Sequence, residues 1–129
     1  MKKIIPFMMV IFLLTGCGAK PRNPGYRQIS MEDAIRMMEE EEDYVILDVR
    51  RPDEFSEKHI PGAINIPNEI IGSEEISQLP EKDQLILVYC RSGNRSKQAS
   101  EKLAALGYSN IVEFGGINDW PGPVVAGQQ

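Results

Sequence analysis

The sequence predicts a single α/β domain with a mainly parallel central sheet flanked by helices in three layers. Two unbroken apolar runs rich in β-branched residues, Tyr44-Val45-Ile46-Leu47 and Leu85-Ile86-Leu87-Val88-Tyr89, carry the pattern of strands covered on both faces. Amphipathic helical segments lie before, between and after them, and strands alternating with helices give a parallel sheet. With 129 residues, 42% of them hydrophobic and 26% charged, the chain has material for one core and a short appendage.

In chain order, the segment from Gly18 to Arg27 is rich in Gly, Pro and basic residues without an apolar period, so it reads as a tether, with the domain running from 26 to 125. Ser30 followed by Asp33 has the form of a capping box, and Met31, Ala34, Ile35 and Met38 share one face of a helix over about 31–40. Met37 and Met38 are read as packing residues at or near the core. The first apolar run follows, then a short helix over 52–58 with Pro52 in its first turn, a short strand over 63–66 and a further helix within 68–79. After the second run, Ala99, Leu103 and Leu106 line one face of a helix over 96–106 that Gly107 terminates, and 111–114 is the last strand.

The first residues differ from the rest. Lys2 and Lys3 precede an uncharged stretch from Ile4 to Leu14, and Gly16 places a small residue before Cys17. This is the layout of a secretory leader over 1–16, and its apolar run falls short of the roughly 20 residues of a membrane-spanning helix. Leu14-Thr15-Gly16-Cys17 resembles the lipobox of bacterial lipoproteins, in which the cysteine is alkylated with diacylglycerol and becomes the mature amino terminus. The resemblance implies a leader over 1–16, a lipidated Cys17 and tether over 17–25, and a domain held to a membrane outside the cytoplasm. Several acyl chains on one residue give durable anchoring where one alone is marginal.

The formal charge is −5, and loss of Lys2 and Lys3 with the leader makes the remainder more acidic, which argues against nucleic acid as a partner. Glu39 to Asp43 and Glu74-Glu75 read as solvated helix ends or turns. With Cys17 lipidated, Cys90 is the one free thiol, so neither an intramolecular disulfide nor a Cys-x-x-Cys pair is available. One cysteine and His59 alone do not make a zinc site.

Cys90-Arg91-Ser92-Gly93-Asn94-Arg95-Ser96 sits between the second apolar run and the following helix, at the carboxyl end of a central strand, where α/β sheets bind ligands. A helix amino terminus presents unpaired N–H groups and a positive dipole end, which stabilise a cysteine as thiolate. Gly93 and Asn94 tolerate left-handed angles, so the loop can curl its amides onto the sulfur. Arg91 and Arg95 offer positive charge to an anionic donor. An inert cysteine at a strand end is the alternative reading of the loop alone.

Three strings, ILDVRRPDEFSEKHIPGAINIP, CRSGNRS and GGINDWPGPV, together resemble the rhodanese homology domain from about Tyr26 to Val125. The resemblance implies a domain whose cysteine accepts a sulfane sulfur and passes it on as a persulfide, with no metal and no organic cofactor. Cys90 is then the catalytic nucleophile, and Arg91, Ser92, Gly93, Asn94 and Arg95 bind substrate. Donor and acceptor would be a small sulfur compound such as thiosulfate and a thiol or cyanide. Four residues separate Cys90 from Arg95, one fewer than in the related cell-cycle phosphatases, and the smaller cradle suits a sulfur atom better than a tetrahedral oxyanion. A phosphatase or arsenate reductase on the same fold and a non-enzymatic sulfide carrier remain the alternatives.

Asp48 ends a central strand on the edge that carries Cys90 and is read as a support that pairs with Arg95 or Arg50. His59 is read as a packing or turn-holding residue, and Tyr89 and Trp120 as core or rim aromatics.

Overall fold

The computed structural model describes residues 25–72 and 74–128. The leader, Cys17 and all of the tether but Gly25 lie outside the described residues. The elements are β1 (Arg27–Gln28), α1 (Met31–Glu40), β2 (Val45–Asp48), α2 (Pro52–Glu57), β3 (Ile64–Asn65), β4 (Ile86–Cys90), α3 (Asn94–Ala105) and β5 (Ile111–Gly116). Single 3₁₀ turns follow β3 at Asn68–Ile70 and β5 at Ile117–Asp119. The five strands form one sheet in the order β1-β5-β4-β2-β3, and every pair is parallel.

Alternation along the strands divides the core in two. Ile86, Val88 and Cys90 of β4 point to the side covered by Ala99 and Leu103 of α3, together with Leu47 and Ile111. Leu87 and Tyr89 point to the other side, where Ala34 of α1, Phe55 of α2, Ile46, Val112 and Phe114 pack. Leu47, Leu87 and Leu103 are fully buried, each worth about 1.5–3 kcal/mol of transfer free energy. Cys90 therefore faces the amino end of α3, whereas Asp48, in step with Ile46, lies on the opposite face.

The α/β reading and most elements agree with the sequence expectation, with shifts at their ends. Ser30 caps α1, its hydroxyl accepting from the Asp33 amide at 3.1 Å. Met37 and Met38 are half-buried against the core. The expected helix within 68–79 is replaced by the turn at Asn68–Ile70 and an irregular path. Tertiary contacts outcompete a local helical ladder here. Asn68 donates to Gln98 at 3.0 Å and accepts from Lys102 at 3.1 Å, while Ile71, Ile76 and Leu79 are buried at spacings that do not repeat with a helix. Cys90 belongs to the strand, and α3 starts at Asn94, two residues earlier than its apolar face indicates. The two-residue β1 carries no sequence signal and forms because β5 offers it a free edge, with Arg27 beside Val112.

Candidate active site

The loop from Cys90 turns into α3 through Gly93, whose φ of 109° lies in the left-handed region that favours glycine. That turn aims the Gly93 amide back at Cys90 and gives an N–H···Sγ hydrogen bond of 3.0 Å. The Cys90 thiol in turn donates to Ser96 Oγ at 3.4 Å. Cys90 is 1% exposed. Asn94 does not share the left-handed role expected of it: all positive φ values among the described residues belong to glycines, and Asn94 is the first residue of the helix.

The end of β5 and the turn after it hold the loop. The register between β4 and β5 slips between Val88, opposite Glu113, and Cys90, opposite Gly116, so β5 carries an extra residue. Gly116 then runs directly against the loop, and a Cβ there would collide with the Arg91 carbonyl and the Ser92 amide. The Asn118 amide donates to the Arg91 carbonyl at 3.1 Å.

The two arginines of the loop have different surroundings. Arg95 forms a two-pronged ion pair with Glu54 of α2, at 2.6 and 3.1 Å. Glu54 also accepts from the Arg51 amide at 3.2 Å, and these contacts, the Arg95 guanidinium first, pull its carboxyl down to about 2. The pair ties α2 to the start of α3. Arg91 is exposed, and its guanidinium makes no ion pair among the described residues. It lines a cleft of about 170 Å³ with Arg50, Lys58 and Asn118, where cations outnumber the carboxylates left unpaired.

A family model for the rhodanese-like domain matches residues 30–122 of the sequence. The chain belongs to the rhodanese-like domain family. It is 37% identical over 81 residues to the thiosulfate sulfurtransferase PspE of Escherichia coli, covering 63% of this chain and 78% of that protein. It is 34% identical over 104 residues to a thiosulfate:glutathione sulfurtransferase of Saccharomyces cerevisiae, covering 70% and 75%. Among solved structures, a rhodanese with anions from E. coli superposes with a TM-score of 0.60 at 36% identity, covering 65% of this chain and 99% of that one. The fold is the rhodanese fold, and the chain is a sulfurtransferase of that family.

Within this rhodanese-like domain, Asp48 and Arg50 pair with each other and Arg95 takes no part. Asp48 is 0% exposed, accepts from Arg50 Nε at 3.0 Å and Nη2 at 2.7 Å, and also receives the Arg50 amide at 2.9 Å. Arg50 Nη2 donates on to the Lys58 carbonyl at 2.7 Å. The reason Asp48 does not reach Arg95 is parity: its side chain leaves β2 on the face away from Cys90. The pair supports the chain that leads into and out of α2.

His59 is buried, stacks on Phe55 with ring centroids 3.7 Å apart, and places Nδ1 2.9 Å from the Phe55 carbonyl. Its backbone bridges Val125, closing the end of the domain. That is the packing role expected of it. Tyr89 is a core residue whose hydroxyl accepts from the Ile60 amide at 3.1 Å, and burial pushes its phenol upward. Trp120 is half-buried and donates to the Pro123 carbonyl at 2.9 Å. The sequence reading missed Glu54 and Glu113. Glu54 sits in an unremarkable acidic first turn and carried no signal; Glu113 did, as a charge in an otherwise apolar strand.

Proposed function

We propose that Cys90 carries a sulfane sulfur as a persulfide, from a donor such as thiosulfate to a thiol or cyanide acceptor. The Cys90 sulfur attacks the donor's outer sulfur, the bond to the sulfonate breaks, and sulfite departs with its electron pair. A second nucleophile then removes the outer sulfur and restores Cys90. The Gly93 amide on the sulfur is the observation that carries this reading, because a fixed N–H donor stabilises the charge that passes through that atom. Membership of a family whose matched relatives are named thiosulfate sulfurtransferases supports it. Incubation with thiosulfate followed by mass spectrometry is expected to find one added sulfur on Cys90, removed by cyanide. An unmodified Cys90 under those conditions would refute the reading.

Arg91 is the donor's anion contact in this scheme, since its charge is unspent while that of Arg95 is neutralised by Glu54. Arg91→Ala is expected to raise the KM for thiosulfate about fivefold, the worth of an exposed charge pair of about 1 kcal/mol. The kcat should change little. A KM that does not move would remove Arg91 from donor binding.

The domain acts outside the cytoplasm in our reading, tethered by lipid on Cys17. The basic start, apolar run and Leu14-Thr15-Gly16-Cys17 string support that placement. The wild-type protein is expected to partition into detergent with Cys17 as its first residue, and Cys17→Ala to stay unprocessed or become soluble. Membrane-bound wild type that retains Lys2 and Lys3 would overturn it.

A further inference from the structure

Glu113 is a buried carboxylate that the sulfur-transfer scheme leaves unused. It is 3% exposed, in step with Ile111 on the α3 face of β5, and it makes no ion pair among the described residues. Its Oε2 instead accepts from the Gly115 amide at 2.8 Å and from Ser96 Oγ at 2.6 Å. A carboxylate held among neutral donors costs several kcal/mol more to bury than an apolar side chain that would complete the strand. The same Ser96 Oγ is the acceptor of the Cys90 thiol. The Ser96 hydroxyl also lies 2.9 Å from the Gly93 carbonyl and 3.3 Å from the Gly115 carbonyl, but Glu113 Oε2 is the nearest of its acceptors, so thiol, hydroxyl and carboxylate form one continuous chain of hydrogen bonds.

We propose that Cys90 and Glu113 hold one proton between them through the Ser96 hydroxyl, so that Cys90 becomes nucleophilic without losing a proton to water. This inference rests on Cys90 being the nucleophile of the transfer proposed above. On attack, the Sγ–H bond breaks and its electron pair remains on sulfur to form the new S–S bond. Ser96 Oγ takes that proton and gives its own to Glu113 Oε2. The pair of the broken donor bond leaves with sulfite. When the acceptor removes the outer sulfur, the pair of the persulfide bond returns to Cys90 Sγ, and the proton comes back from Glu113 by the same route. Ser96 touches the reacting sulfur; Glu113 is a positioning residue that acts through it.

The surrounding charges fit this division. From α3, Arg95 lies close enough to interact with Cys90, but its charge is shared with Glu54 of α2 and with Glu69 of the turn after β3. From the loop, Arg91 is exposed, where salt screens it. The Gly93 amide donates to the sulfur at 3.0 Å and stabilises charge there without accepting a proton. Glu113 is the group linked to the thiol that can take the proton up.

The test is the rate of Cys90 alkylation by iodoacetamide in the full-length, persulfide-free protein, read on the Cys90 peptide by mass spectrometry against pH. Iodoacetamide is neutral, so donor capture by Arg91 does not enter. A proton shared inside the protein makes the wild-type rate nearly independent of pH below the ordinary thiol range of about 8.5. Glu113→Gln keeps the shape and the acceptor oxygen but cannot take the proton. It is expected to react at least about tenfold more slowly near neutrality, with a rate that rises steeply with pH. Ser96→Ala, which breaks the chain and leaves Glu113 in place, should give the same profile, and Ser96→Thr, which restores the hydroxyl, should return towards wild type. Urea midpoints identify any variant that has not folded, and the other two then decide. Folded Glu113→Gln that alkylates as fast as wild type with the same profile would overturn the proposal, as would Ser96→Ala with a wild-type profile. Alkylation needs no sulfur donor, so a protein that shows the expected profiles but takes up no sulfur would refute the transfer reading alone.

Discussion

Cys90→Ser is expected to reduce thiosulfate-to-cyanide sulfur transfer to the uncatalysed rate. The substitution is nearly isosteric, and a serine hydroxyl at the end of β4 finds the same partners, the Gly93 amide and Ser96 Oγ. The domain should therefore fold and keep its loop. What disappears is the chemistry. The attack on a sulfane sulfur needs a soft, polarisable nucleophile, which a hydroxyl is not, and a serine oxygen does not hold a transferable sulfur. Removing a nucleophile from a covalent mechanism costs on the order of a million-fold in the best-studied hydrolases. The measurement is thiocyanate formation with increasing thiosulfate, beside a urea unfolding curve. Turnover by folded Cys90→Ser above background would remove Cys90 from the role. Loss of both turnover and fold would be a stability effect, and the persulfide on wild-type Cys90 would then decide.

The sequence made the location of this site legible because two strong signals coincide. An apolar run long enough for a central strand ends on Cys90, and the next helix begins within a few residues, so the sulfur had to lie at the carboxyl edge of the sheet near a helix amino terminus. The partners were less legible. Asp48, Arg50, Glu54, Arg91 and Arg95 offer several charge pairings, and sequence spacing alone does not show which strand face each side chain leaves by. Parity along β2 settles it by sending Asp48 away from the loop, after which Arg95 is free to meet Glu54. Glu113 could have been flagged, since a charge between Val112 and Phe114 in a strand covered on both faces needs a reason. Its partner Ser96 lies 17 residues earlier in the chain, and the contact exists only because α3 packs over β5. The failed helix after β3 has a similar origin, since the hydrogen bonds that replace it come from Gln98 and Lys102 on α3.

Gly116→Ala is expected to remove most of the sulfur transfer although residue 116 contributes no side chain to the site. Its φ of −147° is extended backbone that alanine adopts freely, so no conformational penalty arises at the residue itself. The penalty comes from space. The new methyl group would overlap the Arg91 carbonyl and the Ser92 amide, and these are backbone atoms that cannot rotate aside. Either β5 withdraws from β4 or the loop lifts, and the loop is the softer of the two because β4 and β5 are paired from Ile86 beside Ile111 to Val88 beside Glu113 and again at Cys90 beside Gly116. Lifting it breaks the Asn118-to-Arg91 hydrogen bond and moves the Gly93 amide off the sulfur. Overpacking of this kind costs about 1–3 kcal/mol of stability, and a displacement of about 1 Å at a reacting centre costs about a hundredfold in rate. The control is Gly62→Ala, where φ is 84° and the added Cβ meets nothing within 4 Å. It should lose about 1 kcal/mol from backbone strain alone and keep its turnover. The two variants measured together separate loop displacement from loss of stability: a Gly116→Ala protein that unfolds at a lower urea concentration yet turns over like wild type would show that the backbone contact between β5 and the loop does not set the geometry of the site.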